Sequence, residues 1–203
     1  MKSARLLAIL AVPAVVALGL AGCGDDSSGG GSSSAPSAAG GHSTGCLINK
    51  TWTLDVADAA TQIGDYLTTK GLAVTSSTGA GSQTFTFTQE GHATASTNLT
   101  YTINVDENGH ALVVTQEHTG DSNGDWAWQA AASGSSSVIT FANWDAGTYA
   151  VQNTISIDGV QSSAPINFPD AGLGGTDMTV TCSGNHLTTK VAASPFTQKW
   201  TAG

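Results

Sequence analysis

From Gly71 almost to the C-terminus, apolar and polar residues alternate, with turn residues between segments, a period that suits extended strands with one face in a core and the other in water. Leu99, Tyr101, Ile103 and Val105 point one way, while Thr100, Thr102 and Asn104 point the other. Tyr149, Val151, Ile155 and Ile157 oppose Gln152, Thr154 and Ser156, and Phe85 and Phe87 oppose Thr84, Thr86 and Thr88. Half-buried strands of this kind belong to antiparallel sheets. Asn108-Gly109 and Asp158-Gly159 mark tight hairpins, because a type I′ turn needs positive φ at both central residues.

Turn residues divide the chain into segments at 50–54, 72–75, 83–90, 93–105, 110–119, 126–132, 138–142, 149–157, 164–168, 178–182, 186–191 and 196–200, giving roughly eight to twelve short strands. One stretch breaks the pattern. Asp55 is placed to cap a helix, and Asp58, three residues on, to answer it as a variant capping box. Val56, Ala60, Ile63 and Leu67 then recur at helical spacing as one apolar stripe. Lys70 suits the negative end of the helix dipole and Gly71 the left-handed position beyond it, so the helix is expected over 56–70. A meander with one apolar face manages its edges best by closing. The expected fold is therefore mainly β, an antiparallel up-and-down barrel with one amphipathic helix after the first strand. A two-sheet sandwich satisfies the same alternation.

Ahead of the strands, Lys2 and Arg5 precede an apolar run from Leu6 to about Leu20, which ends in Leu20-Ala21-Gly22-Cys23. A basic start, an apolar stretch and small residues before a cut read as a secretory signal. A cysteine at the first mature position makes the motif a lipobox, with Cys23 as the lipid attachment site. The run is too short for the roughly 20 apolar residues of a spanning helix, and it contains Pro13. Acyl chains contribute about 0.8 kcal/mol per buried methylene, so several together hold firmly. The expected organisation is a signal peptide at 1–22, a lipidated Cys23 with a Gly/Ser-rich linker to 45, and one folded domain at 46–203. Such a linker reaches about 25 Å on average. The domain is thus expected outside the cytoplasm, tethered to the outer face of the bacterial cytoplasmic membrane.

Removal of residues 1–22 leaves four lysines and no arginine against fifteen acidic residues, a balance of −11. Such a surface repels phosphate backbones and anionic head groups, which argues against nucleic acid as a partner and leaves the lipid as the hold on the membrane. With Cys23 spent on the lipid, Cys46 and Cys182 remain as an even pair in an oxidising compartment, and a disulfide between them is expected. It would tie the entry of the first strand to a strand near the end, neighbours at the seam of an up-and-down barrel.

Cys46 ahead of Thr51-Trp52-Thr53-Leu54, the amphipathic helix, the meander and the closing run from Thr179 to Leu187 together resemble the secreted actinobacterial lipoproteins of unassigned function that carry a lipocalin-like barrel. The resemblance covers most of residues 46–203 and brings no catalytic residues with it. Lipocalins themselves carry Gly-x-Trp on the first strand, whereas Lys50 stands here in the glycine place before Trp52. Small-ligand binding is implied by shape alone.

The remaining motifs offer little chemistry. Gly41-His42-Ser43-Thr44-Gly45 spells a nucleophile elbow, but it lies in the linker without the strand and helix that strain such a serine. Asp121-Ser122-Asn123-Gly124-Asp125 opens like a calcium loop, yet Trp126 stands where an EF-hand needs glycine and Ala132 where it needs a bidentate Glu. His92, His110, His118 and His186 lie at or near turns and read as surface residues. His110 and His118, eight strand residues apart, stand about 26 Å from each other, too far to share a metal. No cofactor, metal or catalytic group is expected, and no oligomeric state is specified.

Trp52, Trp126, Trp128, Trp144, Trp200, Tyr66, Tyr101, Tyr149, Phe85 and Phe87 can either line a cavity or fill a core, since the alternation of a small barrel is the same for both. The expected function is a non-enzymatic binding module for a small apolar or amphipathic ligand. Trp52, Phe85, Phe87, Tyr101, Trp128 and Tyr149 are its candidate contacts. A filled barrel acting as a structural or interaction module of the cell envelope is the alternative.

Overall fold

The computed structural model describes residues 44–129, 136–162, 176–192 and 194–203. The signal segment, Cys23, nearly all of the linker with Ser43, and the strand expected at 164–168 lie outside these residues. The fold is mainly β. A single 3-10 turn (Thr44–Cys46) leads to β1 (Thr51–Leu54), α1 (Val56–Thr69), β2 (Val74–Phe87), β3 (His92–Glu107), β4 (His110–Gln129) and β5 (Ser137–Asp145). Then come β6 (Ala150–Ile157), β7 (Val160–Ser162), β8 (Asp177–Ser183), β9 (His186–Val191) and β10 (Gln198–Ala202).

The ten strands of the described residues join one antiparallel sheet, and eight of them follow one another in a ring of pairings: β1, β2, β3, β4, β5, β8, β9, β10 and back to β1. The β6–β7 hairpin branches off this ring. β4 makes the branch, for its Leu112 to Thr119 pair with β6 while its Asn123 to Gln129 pair with β5. Gly120 sits at the fork with φ +99°, and a Cβ there would lie 2.2 Å from the carbonyl oxygen of Thr148.

The structure corrects the expected segmentation. The segments expected at 72–75 and 83–90 meet in one strand, β2, and 110–119 and the described part of 126–132 fall on one strand, β4, because β3 alternates without a break for 16 residues and pairs with both neighbours along its length. Both predicted hairpin turns form, with Asn108 and Gly109 at φ 54° and 82° and Asp158 and Gly159 at 51° and 79°. The three-residue β7, too short to show a period, is an addition.

In α1, Asp55 caps the first turn by accepting from Asp58 N at 3.0 Å. The Asp58 carboxylate serves elsewhere than in a reciprocal box, bonding Gln62 and Lys199. Gly71 (φ +89°) ends the helix as a Schellman motif, with Leu72 N donating to Leu67 O and Gly71 N to Thr68 O. Val56, Ala60 and Gly64 are buried against β2, where Gly79 leaves room for Val56 and Gly64 for Ser77.

Candidate functional site

Residues facing the inside of the ring come from alternate positions of its strands, as the period of two requires. Large side chains stand beside small ones across the ladder: Phe87 pairs with Ala93, Phe85 with Ala95, and Ala93 in turn with Gly124. The aromatic groups meet one another. Phe85 lies 4.5 Å from Phe87, 5.9 Å from Phe141 and 6.0 Å from Trp200 between ring centroids, and Phe87 lies 5.5 Å from Trp126. Trp52 is wholly buried, and its Nε1 donates to Leu47 O at 2.9 Å. Trp200 Nε1 donates to the buried Thr189 Oγ1 at 2.9 Å, so each of these buried indole donors has an acceptor.

Of the six candidate ligand contacts, Trp52, Phe85, Phe87 and Tyr101 belong to one buried core cluster. Trp128 stands at its margin, edge-on to Trp126 at 5.6 Å, with Nε1 buried and without a partner. Tyr149 is placed elsewhere. It and Tyr101 flank His118, with Tyr149 Oη 2.7 Å from His118 Nδ1 and the Tyr101 ring edge-on at 5.7 Å. Burial pushes the His118 imidazole below its ordinary value and the Tyr101 phenol up to about 12. His118 thus departs from the surface reading. Its inward parity on β4, opposite Leu99 and Val151, was the available signal.

Cys46 and Cys182 stand at disulfide distance, with Cα atoms 6.1 Å apart. Their strands are not direct neighbours, as a seam would have made them: Cys182 is on β8, and β9 and β10 lie between it and β1. The link instead ties the entry segment across one end of the ring. Leu47 behind it is buried, Asn49 N donates to Phe87 O at 3.0 Å, and Lys50 Nζ donates to Gly184 O at 2.7 Å in the β8–β9 turn.

The Asp121 to Asp125 run is strand rather than calcium loop: alternation sends Asp121, Asn123 and Asp125 to the outer face and buries Ser122 and Gly124. Asp125 accepts from Asn143 at 2.8 Å and faces His92 Nδ1 at 2.9 Å. Among the described residues, no three His, Cys, Asp or Glu side chains are grouped to hold a metal ion, and no helix is long and apolar enough to cross a membrane. A shallow groove of about 260 Å³ lies between α1 and Pro195-Phe196, where Tyr66 meets Phe196 edge-on. Among the described residues, the exposed large apolar side chains, Val151 (36%), Ile157 (41%) and Val160 (72%), all lie on the β6–β7 hairpin. Comparison with protein-family models, curated proteins and solved structures finds no match to this chain.

Proposed function

We propose that the protein is a non-enzymatic, lipid-anchored extracytoplasmic module that recognises its partner with the outside of a filled, lipocalin-like barrel. The observation that carries this reading is the interior: Trp52, Phe85, Phe87, Phe141 and Trp200 interlock where a ligand would otherwise sit. Aromatic rings buried against one another in this way support a packed core over an open cavity. The anchor rests on Leu20-Ala21-Gly22-Cys23, and the acidic, arginine-free mature chain supports a protein or glycan partner over nucleic acid.

A small amphipathic ligand at the margin of the ring is the second reading, favoured by the unpartnered Nε1 of Trp128. Mass spectrometry of an organic extract of natively purified protein, paired with titration of a polarity-sensitive dye, separates the two. The filled barrel predicts no co-purifying amphiphile and no dye binding. A stoichiometric lipid lost on Trp128→Ala would establish the second reading instead.

A further inference from the structure

The β6–β7 hairpin lies outside the ring, and among the described residues β4 is the strand that holds it to the rest of the sheet. Two histidines of β4 mark its two ends. At the turn, His110 Nδ1 lies 2.7 Å from Asp158 Oδ2, Ala111 N donates to Asp158 Oδ1 at 2.9 Å, and Asp158 N donates to Ala111 O at 2.8 Å. At the far end, His118 Nδ1 lies 2.7 Å from Tyr149 Oη while its Nε2 is buried with no partner. The two contacts answer protons in opposite senses. The pair with Asp158 is strongest when His110 is an imidazolium, whereas a second N–H on His118 would have no acceptor.

We infer that the β6–β7 hairpin is a pH-tuned flap, docked on β4 most firmly in a window just below neutrality that His110 and His118 bracket, and loosened on either side of it. The groups facing His110 are acidic: Asp158 from the hairpin, Glu107 opposite it on β3, and Asp106 beside that residue. The Asp158 hydrogen bond, then its charge, raises His110 above the ordinary 6.5. Facing His118 are Leu99 and Tyr101 from β3, Val151 from β6 and Tyr149, with the Gln116–Asn153 pair one row along. Burial alone lowers it.

The signs follow by linkage. His110's contribution is complete below 6.5 and fades as pH rises through its raised folded value. That of His118 is complete above 6.5 and fades as pH falls toward its lowered folded value. Both are whole together only near 6.5. Release would uncover the β4 edge from Leu112 to Thr119, a stretch able to accept an added strand.

Hydrogen exchange of the full chain, read by mass spectrometry and corrected for intrinsic rates, tests the flap. Protection of amides 150–157 should peak near pH 6.5 and fall by roughly three- to tenfold toward about pH 5 and about pH 8, while β1 and β10 stay level. His118→Phe should flatten the acid limb and His110→Asn the alkaline one. Protection that changes in one direction only, ring amides that follow the hairpin, or both limbs surviving in both variants would overturn the inference. Should a variant not fold, imidazole titrations in the wild type decide: His110 must titrate above His118, and coincident midpoints refute the flap.

Discussion

Replacing Cys46 and Cys182 together with serine removes a link whose ends are 136 residues apart in sequence. In the chain-entropy model a loop of that length restricts the unfolded ensemble by about 17 cal/mol/K, or about 5 kcal/mol at 25 °C. The native end of the ring keeps its other ties: Leu47 stays buried, Trp52 Nε1 still donates to Leu47 O, and Asn49 N to Phe87 O. The loss therefore acts through the unfolded chain, and the folded structure should persist. Against the roughly 5–15 kcal/mol of an ordinary domain, it is a third of the total or more. Urea unfolding of the oxidised wild type and the double variant measures it. With a slope of about 1–3 kcal/mol/M, the midpoint should fall by roughly 2 M or more, and the slope should rise as the unfolded chain is freed to expand. A loss below about 1 kcal/mol would refute the assignment of the link to unfolded-state restriction.

Phe87→Ala should cost about 3–5 kcal/mol, and it should let the interior take up benzene or xenon that the wild type excludes, as ligand-observed NMR would show. Gly120→Ala places a Cβ against Thr148 O at a positive φ, so a loss of about 1–3 kcal/mol is expected, with exchange increased first where β4 parts from β5 and β6. The hydrogen bond from Lys199 holds the Asp58 carboxyl below its ordinary 3.8, and its stabilisation is present above that value and lost as pH falls through the folded one. Carboxyl NMR should show the Asp58 midpoint return to the ordinary range in Lys199→Met. Cys23→Ser should move the protein from the membrane to the soluble fraction, and retention at the membrane would remove the lipobox reading.

What was legible in the chain was local. The alternation in β3, the two I′ turns, the Asp55 cap and the Gly71 stop each depend on neighbours within a few residues, and each stands where its residues placed it. The breaks expected between 75 and 83 and between 119 and 126 do not form, because glycine within a strand and glycine in a turn are the same letter. A facing backbone decides between them: Asn98 O lies 2.1 Å from where a Gly81 Cβ would be. The candidate contacts divided in a way that no local pattern shows: Tyr101 and Tyr149 both flank His118, yet Tyr101 belongs to the buried core and Tyr149 does not.

By itself, the sequence determined strand period, the Asn108-Gly109 and Asp158-Gly159 turns, the helix limits and the arithmetic that leaves Cys46 and Cys182 as a pair. The tertiary structure alone decided which strands adjoin, where β4 forks, that the disulfide crosses two strands, and which aromatics are buried together. Period and caps are set by short-range sterics and hydrogen bonds. Partner choice is set by long-range burial summed over the ring against the entropy of closing it, and no single segment carries that sum.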